Sequence, residues 1–181
     1  MKFNAALRTL AASALAAALG GTGIAHAEQG YIGFGFGSGS SSDWCNIDYG
    51  ACEDSDTGFK FFGGARLSDS LAAEISYTDF GTVTDFSDPD HVDISGLTLS
   101  LVGMLALSEQ FDLLGKLGIG SWTADAGSWG SDTGSDVAFG VGVQLETSEN
   151  LAIRGEWEQI QAGHRILGDY TLLSVSILYR F

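Results

Sequence analysis

The chain has 181 residues, 45% of them hydrophobic, and its 23 acidic residues against eight basic ones give a net charge of −15. That balance argues against nucleic acid as a partner, because a phosphate backbone is bound by Lys and Arg; cations, cationic peptides or plain solvation remain open. No apolar run reaches the roughly 20 residues of a membrane-spanning helix, so entry into a membrane would require a closed barrel of strands.

Residues 1–27 read as a cleaved secretory signal peptide and 28–181 as the single domain that follows. Lys2 and Arg8 give a positive start, Leu10 to Leu19 is an Ala/Leu run too short to span a bilayer, and Ala25-His26-Ala27 is a small-residue cleavage site before Glu28. All 23 acidic residues but only six of the eight basic ones lie beyond residue 27, which leaves that domain at −17. An exported chain meets an oxidising compartment. Cys45 and Cys52 are therefore expected to form a disulfide that staples the first long loop beside Trp44 and Tyr49. Their spacing fits neither a C-x-x-C redox pair nor a four-ligand zinc set.

Eight segments alternate with period two: 30–38, 57–67, 70–79, 94–107, 110–123, 136–147, 150–161 and 170–181. The connections at Leu67–Ser70, Leu107–Gln110 and Thr147–Asn150 are tight and polar. Those at 39–56, 80–93, 124–135 and 162–169 are longer and rich in Gly, Ser and Asp, and the single proline, Pro89, falls in one of them. One face of the segments reads Ile32, Phe34, Phe36, then Phe59, Phe61, then Leu97, Leu99, Leu101, and so on to Phe139, Val141, Val143. The other reads Gly33, Gly35, Gly37, Lys60, Gly64, Arg66, Lys116, Gly118, Gly120, Arg154, Glu156, Glu158. In the last segment Leu173, Val175, Ile177, Tyr179 and Phe181 alternate with Ser174, Ser176 and Arg180.

Segments of 9–14 residues, short turns at one end, long loops at the other and an apolar face opposed to a Gly-and-charge face define an all-β fold. It is an eight-stranded antiparallel up-and-down transmembrane β-barrel. Its apolar face meets lipid and its Gly, Lys, Arg and Glu fill a lumen only wide enough for side chains. A soluble barrel would be inverted. The pattern places the chain in the bacterial outer membrane as a monomer, with both termini and the short turns on the periplasmic side.

Several fragments resemble the OmpA-like family of small outer-membrane barrels. They are Tyr31-Ile32-Gly33, Gly58-Phe59-Lys60-Phe61-Phe62-Gly63-Gly64-Ala65-Arg66, Ala73-Glu74-Ile75-Ser76-Tyr77, Lys116-Leu117-Gly118, Phe139-Gly140-Val141-Gly142-Val143, Arg154-Gly155-Glu156-Trp157-Glu158 and Tyr179-Arg180-Phe181. Their order and spacing cover the whole of 28–181. The resemblance implies a membrane-embedded barrel with outer-membrane lipid around it, assembled by the barrel assembly machinery, with Tyr179 and Phe181 as the C-terminal assembly signal. No peptidoglycan-binding domain, and so no cell-wall tether, is expected of a chain that stops at Phe181.

The first candidate site is the set of interior charges Glu74, Lys116, Arg154 and Glu156, which project from three strands. In OmpA-like barrels similarly placed charges form salt bridges that close the lumen and exchange partners to let ions pass. The resemblance therefore implies either a static polar core, the preferred reading, or a narrow low-conductance pore with a gate. Acidic loop residues, Asp43, Asp48, Glu53, Asp54 and Asp56 in the first loop and Asp85, Asp88, Asp90 and Asp93 in the second, offer oxygens to Ca²⁺ but lack EF-hand spacing, so no metal is expected. Trp122 and Trp129 near the third loop are expected as interfacial belt residues. The only histidines beyond residue 27, His91 and His164, sit in or beside loops, and Gly33-x-Gly35-x-Gly37 has no βαβ context, so neither catalysis nor a cofactor is expected. The expected function is structural or surface-interacting: a lipid-embedded scaffold presenting acidic loops.

Overall fold

In a strand successive side chains point to opposite faces, so a run that alternates aliphatic with glycine or charge can satisfy lipid on one side and a packed interior on the other. The structure, a computed structural model, describes residues 29–41, 52–53, 55–85, 91–125, 130–161 and 169–181. Eight long strands dominate it: β1 (Gln29–Ser41), β2 (Ser55–Ser68), β3 (Leu71–Asp85), β4 (His91–Ala106), β5 (Phe111–Asp125), β6 (Ser131–Glu146), β7 (Leu151–Ile160) and β8 (Tyr170–Arg180). Each pairs antiparallel with its chain neighbours, and β8 pairs with β1 from Tyr31↔Arg180 to Ser41↔Tyr170. The sheet therefore closes and leaves no edge along its membrane span, as lipid demands. Phe181 completes the seam: its N–H donates to the Gly30 carbonyl at 3.0 Å, and the Gly30 N–H donates back at 3.2 Å.

The faces are those read from the sequence. Leu99, Leu117, Ile119 and Ile177 point outward with 64–67% of their surface exposed, whereas Lys60, Glu74 and Arg154 are 2% exposed or less. This inversion is the physical signature of a membrane barrel. The apolar surface is covered by lipid rather than by the protein, and the charges are taken out of water by the barrel wall.

Glycine positions follow from register. Across the ladder Tyr31 faces Gly64, Phe62 faces Gly33, Lys60 faces Gly35, Lys116 faces Gly140, Trp122 faces Gly134 and Glu156 faces Gly142. Each bulky inward side chain lies over a residue that has none. A Cβ at Gly134 would meet the Trp122 ring at 2.5 Å, and one at Gly142 would meet Glu156 Cγ at 2.7 Å. The outward Gly115, by contrast, has open space around it.

The three tight turns share one device. Ser68, Ser108 and Ser148 each accept a backbone N–H with their hydroxyl, from Ser70 (3.4 Å), Phe111 (3.2 Å) and Leu151 (3.1 Å) respectively. These are ST-type turns. At the other end several strands are longer than the 9–14 residues expected; β4 and β6 reach 16. The described residues of the 80–93 and 124–135 segments, expected as loops, are largely ladder: Thr82↔Asp93 and Ala124↔Asp132 pair in register. Their Gly, Ser and Asp content hid the strands, because these residues favour turns locally while ladder hydrogen bonds decide otherwise. A bulge interrupts β3 between Asp79 and Gly81, leaving Phe80 without a partner opposite. Gly81 adopts φ +86° there, and its N–H donates to Asp79 Oδ1 at 2.9 Å. The two-residue strand Cys52–Glu53 pairs with Thr84–Asp85. Cys45 lies outside the described residues, and the expected disulfide with it.

Candidate functional site

The lumen is filled in layers. At its centre Lys60 from β2, Glu74 from β3, Lys116 from β5 and Arg154, Glu156 and Glu158 from β7 converge. Lys116 Nζ lies 2.6 Å from Glu74, 3.0 Å from Glu156 and 2.7 Å from Glu158. Arg154 Nη1 lies 2.7 Å from Glu74 and 3.8 Å from Glu156. Lys60 pairs with both Glu156 and Glu158. Three cations meet three carboxylates, so the cluster is neutral as a whole and each carboxylate is shared by at least two cations. Such sharing is what makes buried charge tolerable, since an ion left alone in a low-dielectric interior is costly.

Neutral side chains complete the shell. The Tyr31 hydroxyl donates to Glu74 Oε2 at 2.8 Å, and Arg154 Nε donates to Gln144 Oε1 at 2.9 Å. Gln144 Nε2 then donates to Glu146 at 2.7 Å, and Glu146 pairs with Arg180 at the short-turn mouth. The Phe62 ring sits amid the cations, with its centroid 5.1 Å from Lys60 Nζ, 5.9 Å from Lys116 Nζ and 5.1 Å from the Arg154 guanidinium. Its negative face adds attraction from an apolar side chain.

Apolar layers cap this cluster on both sides. Towards the short turns lie Phe62, Ala72, Val102, Leu114, Ala152 and Leu178. Towards the long loops lie Phe80, Ile94, Trp122, Ile160, Tyr170 and Leu172. Between the upper layer and the ions a cavity of about 20 Å³ is lined by Ser76, Thr98, Ser100, Lys116, Glu158 and Phe80 among others. That is room for about one water molecule.

All four sequence candidates, Glu74, Lys116, Arg154 and Glu156, stand in this cluster. The set omits Lys60 and Glu158, although both lie on the inward face in the sequence and face Gly35 and Gly140 in register. It also omits Tyr31, Phe62 and Gln144, whose roles depend on cross-barrel proximity that no single strand reveals. Trp122 is a correction. It is no belt residue but a buried side chain of the upper layer, 2% exposed, with Nε1 donating to Asp136 Oδ2 at 2.9 Å. Its parity with Lys116 and Gly120 puts it inside. Trp129 and His164 lie outside the described residues. Tyr179 and Phe181 face outward and stack at a centroid distance of 6.5 Å.

Fold and lumen together define a small outer-membrane barrel. The chain matches the outer membrane protein beta-barrel domain over residues 5–181 and belongs to that family. A search of the curated proteins found no match. Among solved structures it is similar to Ail, the attachment invasion locus protein of Yersinia pestis, in complex with the heparin analogue sucrose octasulfate. The identity is 18%, the TM-score is 0.61, and 84% of this chain and 98% of that one are covered. It is also similar to OprG of Pseudomonas aeruginosa (14%, TM-score 0.58, 86% and 97%) and to the N-terminal β-barrel domain of OprF from the same organism (12%, TM-score 0.56, 84% and 97%). At these identities the likeness is one of fold. The OmpA-like resemblance read in the sequence holds at the level of family and architecture, and the chain is a protein of the bacterial outer membrane.

Proposed function

We propose that this barrel is a closed scaffold whose work is done at its outer surface rather than through its lumen. The observation that carries this reading is the layering: a neutral, mutually paired ion cluster sealed above and below by apolar side chains. The exposed end carries acids, with Asp56, Asp93 and Asp132 all outside the core, while all five described basic residues face the lumen. A surface partner would therefore be cationic. The complex named for Ail holds a polyanion, which this surface would repel. We place the chain outside the enzymes, in keeping with a family of membrane barrels, and read it as a monomer delivered by signal-peptide export and the barrel assembly machinery. Proteoliposomes carrying the chain should swell in small sugars no faster than empty ones, and in nanodiscs it should bind polylysine in a salt-sensitive way. Sugar-dependent swelling, or indifference to polylysine, would count against the reading.

A second reading is a narrow pore gated by Glu74, Lys116, Arg154 and Glu156. It is favoured by the shared carboxylates, since Lys116 touches three of them and could change partner without baring a charge. Opening would still have to displace Trp122, Tyr170 and Leu172 above and Leu114 and Leu178 below.

A further inference from the structure

We propose that the long-loop mouth of the lumen seats the amino groups of a linear polycation, with Asp132 and the Tyr170 hydroxyl as its innermost contact. The inference rests on the cationic partner proposed above and names where that partner is held. Register brings the groups together. Asp132 and Asp136 lie opposite Ala124 and Gly120, so both share the inward parity of Trp122 and Gly134 between them. Asp56 lies opposite Gly39, in line with the inward Gly58 and Lys60. Strands β2 and β6 stand four places apart in a ring of eight, which sets Asp56 across the mouth from the other two. At and above the layer of Phe80, Trp122 and Tyr170 the inner wall thus carries three carboxylates. Asp56 and Asp132 are exposed and Asp136 is half-buried. Among the described residues no Lys, Arg or His pairs with any of them, whereas each carboxylate of the central cluster is shared by at least two cations.

The hydrogen bonds leave acceptors open. Asp132 Oδ1 accepts the Thr133 N–H at 2.9 Å and Asp136 Oδ2 accepts Trp122 Nε1 at 2.9 Å, so each carboxylate keeps one oxygen clear of these bonds. Asp56 accepts the N–H groups of Thr57 and Thr82 and contributes charge rather than contact. The Tyr170 hydroxyl is buried without a hydrogen-bond partner, and the carboxylate whose charge bears on it is that of Asp132. Its ring packs edge-on against Trp122 at 5.5 Å and tilted against Phe80 at 5.9 Å. A Phe would make the same ring contacts without stranding a hydroxyl, so the oxygen does not serve the fold. Its lone pairs can accept an ammonium N–H, and a nearby carboxylate in a poorly hydrated place strengthens such binding. Asp132 and Asp136 are four residues apart, about 14 Å along the strand. No single ion touches both, whereas a flexible chain with several amino groups does.

The test is calorimetric titration of the whole folded chain in nanodiscs, at low salt, with polylysine and with spermidine. Asp132→Asn should weaken polylysine binding about ten-fold or more, the size of a charged hydrogen bond. Tyr170→Phe should weaken it about five-fold while unfolding in urea at the same concentration or higher, because it removes only an unpaired hydroxyl. The outward control Asp93→Asn should stay within about two-fold, although it removes the same charge. Spermidine distinguishes the source of the amino groups: the same losses with spermidine assign the seat to free polyamines as well, and losses with polylysine alone assign it to the lysines of a protein. Equal effects of Asp132→Asn and Asp93→Asn would overturn the seat while leaving a diffusely acidic surface. Unchanged binding in Tyr170→Phe would overturn the role of the hydroxyl, and a wild type indifferent to polylysine would overturn both the seat and the cationic partner.

Discussion

Arg154 shows how much depends on single side chains in this lumen. It holds Glu74 directly, approaches Glu156 and orients Gln144. Arg154→Ala would leave its carboxylates under-compensated in a dry interior. We expect a loss of about 3–5 kcal/mol in urea unfolding from lipid, the range for breaking a buried pair from one side. Arg154→Met combined with Glu74→Gln should recover a large part of it, because the remaining cluster of Lys60, Lys116, Glu156 and Glu158 is balanced. No recovery would mean that Arg154 acts through packing on Tyr31 and Phe62. Glycines give the complementary contrast. Gly118→Ala would drive a Cβ into the Leu99 carbonyl and Ser100, whereas Gly115→Ala meets nothing. The first should impair refolding outright and the second should stay within about 0.5 kcal/mol of the parent, as surface changes do. Similar behaviour of the two would contradict the inward and outward assignment.

At the scale of strands, the alternation was legible because lipid and lumen impose opposite chemistries on neighbouring residues. Leu97-x-Leu99-x-Leu101 and Gly33-x-Gly35-x-Gly37 announce their faces without help from tertiary structure. The upper ends of β3 to β6, residues 80–85, 91–93, 124–125 and 131–135, were not legible. There the outward face is no longer aliphatic, so Thr82, Asp93 and Thr133 lose the contrast that period two needs, and their turn-forming composition reads as loop. The bulge in β3 was hidden for a related reason: its signal, Gly81, is one glycine among 26. There the backbone needs φ +86°, which a side chain disfavours. Gly81→Ala should cost about 1–2 kcal/mol and loosen Phe80 beneath it, seen as lower stability and faster amide exchange at Asp79 to Thr82. Unchanged exchange there would show that the bulge is not held by Gly81.

For the molecule as a whole, the sequence revealed that charges face inward but not how they are divided. Membership of the ion cluster depends on height within the barrel, and height depends on register between strands. So Lys60 joins Glu156 across 96 positions of sequence, and Trp122, near a loop in the chain, becomes part of the upper layer. The apolar layers were likewise invisible, because Phe80, Tyr170, Leu114 and Leu178 come from different strands and each is unremarkable in its own. Together they turn a polar lumen into a core. Planar-bilayer conductance of the refolded chain tests that claim most directly, comparing the wild type, Arg154→Ala, and a variant that opens the upper layer, Trp122→Ala with Phe80→Ala and Leu172→Ala. The closed-core account predicts silence from the wild type and from Arg154→Ala while the barrel remains folded. Discrete ion steps in Arg154→Ala with both apolar layers intact would contradict it and make the ion pairs a gate.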